Sequence, residues 1–457
     1  MSDFRPYPRL EAFERLHISD GLTINAERWQ QAHGYHRQRQ NFQYQALHEA
    51  GIIYGLGVAI VPEQPDGRLL QIQPGVAIDI EGNPIIVRQP EEFRIMSEPP
   101  EGQILVVHLA VNYVDPDALR LNPSTRVLQE SFRIVEKVQL DPRDVELCRI
   151  HLRSGATQLQ TPTDVFAPSD NQLDFRGRCH PQPYPQLWVR VGQVTTDRAS
   201  DLITQQGFTE LLRSLTGLYP ALRGTPPQNF SAKFLGRASV LDCELLAIAQ
   251  DVLMALSTPA LQSLSAYLTQ GGVLLVVNDF SEIDLLDLLD IGKELQLGLT
   301  EAKRDPDLFR QTGTALKNEI ESNQAAIAQR LQEIEQQLAT IAPRLGISLS
   351  GSGDLGDDHP LVWQPFLFSQ LPQVLGHAIH VKNWGGLVWM VGDLSQSWGR
   401  NPTLTLPREM LRSAQEWGIN LLHFAAQRRQ WIQAMQPLPI ETSTPTDSLQ
   451  RRTQPSG

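Results

Sequence analysis

Apolar positions change their rhythm several times along the chain, and each change marks a different kind of element. Over residues 26–47, Trp29, His33, His36, Phe42 and Leu47 recur at mixed three- and four-residue spacings, which predicts a helix in an otherwise polar segment, 1–48. Asn25 can cap it, because its side-chain oxygen can accept amides that the first turn leaves without partners. The helix should end near Gly51. From Ile52 the rhythm shortens to alternation over a few residues, interrupted by Gly55 and Gly57 and by the turn signal Pro65-Asp66-Gly67. Residues 75–80 and 85–87 flank Glu81-Gly82-Asn83-Pro84, which is hairpin chemistry. Further strands are expected at 104–113, 132–140 and 145–152. Residues 49–152 therefore predict an antiparallel β module.

Residues 153–186 lose this rhythm and gather Pro162, Pro168, Pro181, Pro183 and Pro185, so a linker and a domain boundary near 185 are expected. Beyond it, strands and helices alternate. Strands are expected at 187–194, 244–249, 273–277, 378–381 and 387–391, and helices at 207–218, 259–269 and 406–435. The run Val273 to Val277 is apolar without a break, as in a strand covered on both faces. The expectation for 187–435 is a doubly wound α/β domain, and for the whole chain an α+β multidomain protein. One stretch breaks the alternation. From Ile327, the residues Leu331, Ile334, Leu338, Ile341 and Leu345 follow at steps of four and three, a heptad seam. It predicts a long helical protrusion inserted at about 307–345. The tail, 436–457, is rich in Pro, Ser and Thr and is expected to be disordered.

Composition narrows the function. The 457 residues carry a formal net charge of −12, which disfavours a nucleic-acid partner, since such binding rests on a basic surface. Of 39 basic residues only six are Lys, so the positive charge is mostly the planar fork of Arg, suited to interfaces. Cys148, Cys179 and Cys243 are too few and too scattered for a disulfide framework or a zinc knuckle. No apolar run approaches the roughly 20 residues of a membrane span, and the first residues carry charges where a signal peptide needs an apolar run. A cytoplasmic chain is expected.

Catalytic motifs are missing: there is no phosphate-binding Gly loop, no H-E-x-x-H and no G-x-S-x-G. His33/His36 and His377/His380 have helical spacing but lack acidic or thiol companions for a metal, so no metal or cofactor is expected. Asp251, Asp279 and Asp393 each follow an expected strand of the α/β domain. Ligands of open α/β sheets bind outside the carboxyl ends of strands, so these acids are candidates for a ligand edge, with Trp398, Trp384 and Trp389 as rings that could stack on a sugar. They are also ordinary helix caps. A metal-dependent hydrolase built on the three acids is a further alternative. Cys243 precedes its strand, the wrong end for a nucleophile.

Two sets of residues carry resemblances. Leu16-His17-Ile18-Ser19-Asp20-Gly21-Leu22, then Trp29, Tyr35, His36, Arg37 and Asn41, the run 47–58 and the block 72–87 together resemble an N-terminal module of phage-tail-like contractile injection systems. Residues 267–279, Asp358-His359-Pro360-Leu361 and Trp417-Gly418-Ile419-Asn420-Leu421-Leu422 resemble a bacterial domain of unknown function with a glutamine-amidotransferase-like (flavodoxin-like) fold that generally lacks the catalytic cysteine. Here the elbow after Val277 is Asn278-Asp279-Phe280, with no thiol.

The first resemblance implies a non-enzymatic accessory subunit of a baseplate or tail fibre. It would act through interfaces with other baseplate subunits and with copies of itself in a symmetric particle, free or held at a membrane, which could contact a target surface. Phe4, Tyr7, Phe13, Trp29, Tyr35, Arg37 and Phe42 are the expected anchors, because the first 48 residues are too short to bury so many rings themselves.

Overall fold

The computed structural model describes residues 12–62, 67–116, 127–155, 158–196, 198–237, 242–399 and 406–436. The chain is a mixed α+β protein and divides into two compact units, 1–184 and 185–457. The expected tail beyond 436 and most of the Pro65-Asp66-Gly67 turn lie outside the described residues.

In the first unit, helix α1 (Ala26–Leu47) begins at Asn25, whose Oδ1 accepts the Arg28 amide at 2.9 Å. Ten strands follow: β1 (Gly51–Gly55), β2 (Val58–Ile60), β3 (Leu69–Ile72), β4 (Gly75–Ile78), β5 (Pro84–Val87), β6 (Glu91–Arg94), β7 (Ile104–Val114), β8 (Ser131–Lys137), β9 (Val145–Arg153) and β10 (Leu173–Asp174). They pair antiparallel in three sheets, β1-β4-β5, β2-β3-β6 and β10-β9-β7-β8. One core joins the sheets, with Ile52, Leu70, Ile85, Val107, Leu147 and Ile150 inside it. The β4–β5 turn is built on Asp79. Its carboxylate accepts the amides of Glu81 and Asn83 at 2.9 and 2.8 Å and the Asn83 side chain at 3.0 Å. Gly82 sits in this turn at φ +79°, a conformation that L side chains rarely adopt.

Residues 153–186 are not a free linker. Leu159 and Leu173 are buried in the β core, and Leu173 pairs with Ile150. The Arg178 guanidinium donates to the carbonyls of Gly55 (2.8 Å), Leu56 (2.7 Å) and Leu147 (3.2 Å). The Ile52 amide donates to Cys179, and that of Tyr184 to Leu47. The prolines stop regular structure, but the backbone finds its partners on β1 and β9 instead.

The second unit contains β11 (Leu187–Val189), β12 (Val191–Thr195), α2 (Ala199–Leu218), β13 (Leu222–Gly224), β14 (Gln228–Ser231), β15 (Leu245–Ala249), α3 (Gln250–Met254), α4 (Thr258–Thr269), β16 (Val273–Asn278), α5 (Leu286–Ala302), α6 (Pro306–Ile341), α7 (Pro360–Trp363), β17 (Gln373–Val374), β18 (His377–Ala378), β19 (His380–Trp384), β20 (Leu387–Val391) and α8 (Arg408–Ala434). Its main sheet has the order β14-β12-β15-β16-β20-β19, parallel except for the last strand. Side chains alternate across each strand. Leu246, Ile248, Leu274 and Val276 therefore meet α4 and α6 on one face, while Leu245, Ala247, Val273 and Leu275 meet α2 and α8 on the other. Burial on both sides is why these strands are apolar throughout.

The heptad seam is corrected by the structure. Ile334, Leu338, Ile341 and Leu345 are buried in the core of their own domain, with Ile327 and Leu331 packed against it. A four-and-three stripe fits a sheet face as well as a partner helix, so the spacing is not evidence of a coiled coil. Helices α5 and α6 pack against each other as a hairpin. Asn323 donates to the Leu288 carbonyl at 3.0 Å and Arg330 to that of Ile283 at 3.0 Å.

Candidate functional site at the carboxyl edge of the sheet

The strand order reverses between β12 and β15: from β12 the chain goes outward to β14, then returns to the other side. The diverging connections leave a cleft at the carboxyl ends, where ligands of open sheets bind. Here it holds a cavity of about 100 Å³. Gln193 of β12 lines it, with Arg198 and Asp201 at the start of α2 and with Asp279, Glu282 and Asp393 from the segments after β16 and β20. Asp251 stands beside the cavity, bound to Arg198 at 2.6 Å.

Three of the acids have a local role in the backbone. Asp279 accepts the Ser281 amide at 2.8 Å and its hydroxyl at 2.5 Å. Asp393 accepts the Ser395 amide at 2.8 Å and hydroxyl at 2.7 Å. Asp201 accepts the amides of Thr196 (2.8 Å) and Arg198 (3.0 Å). These are the bonds expected of acids that follow strands. They do not exhaust the site's electrostatics. Burial, and then the charges of Asp279 and Asp251, push the Glu282 carboxyl up. Asp393 is also pushed up, first by burial and further by Asp279, against the opposing bonds from Ser395.

Gln193 is 4% exposed. Its Nε2 donates to the Asp201 carbonyl at 2.9 Å, while its Oε1 is buried without a hydrogen-bond partner. An unsatisfied buried acceptor costs about 1–3 kcal/mol. Gln193, Arg198 and Glu282 were not among the residues expected at this edge. The available signal was Gln193 itself, an amide in the middle of an apolar strand.

The tryptophans are corrected. Trp398 and Trp389 are each 1% exposed and Trp384 6%, so none offers a face to a sugar. Trp398 packs on Phe208 at 4.9 Å and donates to the Ala414 carbonyl at 3.2 Å. Trp389 donates at 2.8 Å to Gln250 Oε1, which also accepts from Asn278 at 2.9 Å, and the Gln250 amide donates to the Ile334 carbonyl of α6 at 2.9 Å. The elbow after β16 is thus tied into a buried network, with Phe280 1% exposed beneath it. Cys243 is fully buried, and desolvation pushes its thiol up to about 12.

Among the described residues no group of three or more His, Cys, Asp or Glu is placed to hold a metal ion. His377 is bound to Asp290 at 2.7 Å. A larger cleft of about 730 Å³ lies between α6 and the edge strand β19, where Lys382 pairs with Glu335 at 2.7 Å.

In the first unit, Phe4 and Tyr7 lie outside the described residues. Phe13 stands edge-on to Phe42 (5.3 Å) and Tyr35 (6.5 Å), and Arg37 pairs with Asp115 at 3.5 Å. Trp29 is 56% exposed, with His33 its ring neighbour at 5.2 Å. No residue of α1 is buried. Outward on the β1-β4-β5 sheet, Tyr54, Val76 and Ile86 form one cross-strand apolar row whose two ends are exposed.

No protein-family model and no curated protein matches the chain. A solved structure titled "Crystal structure of TssK" is similar over 33% of this chain and 40% of that one, at 13% identity and a TM-score of 0.22. The match spans less than half of that protein's length, and a likeness so slight carries neither fold nor function across. No described helix is long and apolar enough to cross a membrane.

Proposed function

We propose that this chain is a structural accessory subunit of a contractile injection system, a baseplate or tail-fibre-like component that docks through its first unit and works without catalysis. The observation that carries the reading is α1, a 22-residue helix with rings and Arg side chains and no buried position. Isolated polar helices gain their stability from packing, and a ring as large as that of Trp29 dominates an interface when a partner covers it. Tyr54, Val76 and Ile86 add a second apolar row on the same unit. The resemblance of residues 16–150 names the kind of assembly. The test is co-purification. A chain lacking residues 1–48 should retain a folded second unit and be lost from contractile particles isolated from the source cells. Incorporation at wild-type stoichiometry would overturn the reading.

A second reading is favoured by the orphaned Gln193 oxygen: the cleft at the carboxyl edge binds a ligand, and the second unit is a recognition module displayed by the particle. This reading concerns a different unit and survives if docking lies elsewhere.

A further inference from the structure

We propose that the cleft at the strand-order reversal receives the cationic head of a ligand, a guanidinium or an ammonium group. The inference rests on the second reading above, that the cleft binds a ligand, and assigns that ligand a chemical class.

Three independent features define the class. The first is Gln193 Oε1. It is an acceptor only, so an N–H or O–H donor must enter to satisfy it. The second is charge. Asp279, Glu282 and Asp393 line the cavity together, and the cation that shares it, Arg198, is engaged by Asp251 at 2.6 Å. An anion would meet these carboxylates and that of Asp201 besides, and a neutral ligand would leave their mutual repulsion in place. Desolvation, only partial at Glu282, and that repulsion already push Glu282 and Asp393 up, a strain that a bound cation relieves. The third is size. A water molecule's share of liquid volume is about 30 Å³, so the roughly 100 Å³ cavity admits a head of a few heavy atoms. A bare metal ion fits less well. Oxygens of Asp279 and Asp393 are committed to Ser281 and Ser395, and no ligand group of three is assembled among the described residues. A guanidinium spreads five donors over a plane and can bridge acceptors too far apart for one ion.

Such a head could belong to a free small molecule or to an Arg or Lys side chain on another protein. The experiment is calorimetric titration of the full chain with methylguanidinium and methylammonium, with neutral methylurea and acetate as controls. A cationic head should bind at least about tenfold more tightly than methylurea, a difference of roughly 1.4 kcal/mol. Glu282→Gln, at an exposed position that leaves the fold intact, should weaken binding of the cation about tenfold and leave methylurea unchanged. Gln193→Leu, which removes the unpartnered acceptor together with the Nε2 bond to the Asp201 carbonyl, should also weaken binding of the cation. Agmatine compared with a short acetylated, amidated Gly-Arg-Gly peptide distinguishes the two sources, and preference for either supports the proposal. Equal binding of methylurea, tighter binding of acetate, or indifference to Glu282→Gln would overturn the cationic class while leaving a ligand cleft. No binding of any probe at about 10 mM, about tenfold above a millimolar constant, would sink both the class and the ligand reading.

Discussion

A Cβ on Gly82 would stand 2.5 Å from the backbone carbonyl oxygen of Asn41, so the β4–β5 turn and helix α1 touch main chain to main chain. Nothing but a glycine fits this approach, and the +79° φ demands one independently. Gly82→Ala should therefore cost more than the roughly 1–2 kcal/mol of a left-handed alanine, because the helix must also move away. Gly102, at φ +73° with nothing within 4 Å, is the control: Gly102→Ala meets the backbone cost alone. Urea unfolding should rank Gly82→Ala well below Gly102→Ala. Trypsin should cut at Arg28, Arg37 and Arg39 faster in the first variant only.

Arg178 makes the proline-rich segment part of the β unit. Its guanidinium serves three carbonyls on β1, the residue after it, and β9, and stacks on Phe175 at 5.5 Å. Arg178→Ala should destabilise the unit by about 2–3 kcal/mol, since bonds from a charged donor are worth more than neutral ones. Arg178→Lys should recover little of this, because an ammonium cannot fork between the carbonyls. Limited proteolysis reads the effect directly: residues 158–184 should resist cleavage in the wild type and become labile in Arg178→Ala.

The inward heptad seam predicts an asymmetry along the helical hairpin. Leu338 is fully buried against the sheet, whereas Leu297 is 57% exposed. Leu338→Ala should cost about 2–5 kcal/mol, the range for core leucines, and Leu297→Ala within about 0.5 kcal/mol. Neither should alter the mass of the chain in light scattering. A change of oligomeric state in Leu338→Ala would mean that the seam pairs between chains after all.

Asp174 contributes to the acid dependence of the first unit. Hydrogen bonds from the Arg176 side chain, at 2.9 and 2.8 Å, lower its carboxyl from 3.8 to about 2, helped by the Arg176 amide at 2.9 Å. Because the folded value lies below the unfolded one, the stabilisation is fully present about a unit or more above pH 3.8, declines as pH falls through 3.8 and is lost towards about 2. Asp174→Asn should be less stable than wild type at pH 6. The gap between the two urea midpoints should then narrow steadily from pH 5 to pH 3. A gap independent of pH over that range would show that ionisation of Asp174 contributes nothing.

Much of the fold was legible in the order of residues, because local physics dictates it. Strands β15, β16 and β20 read as unbroken apolar runs since both their faces are covered, and that requirement falls on every side chain in turn. Asn25 marked the start of α1, and Gly82 marked a tight reversal, because cap and turn chemistry acts over three or four residues. Asp279 and Asp393 stood after strands and proved to brace the turns there. What a rhythm of apolar positions cannot carry is the identity of the surface that covers them. The same four-and-three spacing would serve a partner helix or, as here, the face of its own sheet. Trp389 and Trp398 carried no local mark of burial, which was decided by Gln250 and Phe208, far away in sequence. The cleft itself depends on strand order. Gln193, Asp279 and Asp393 converge because β12 and β15 are neighbours across the reversal, a result of long-range pairing that no window of sequence contains.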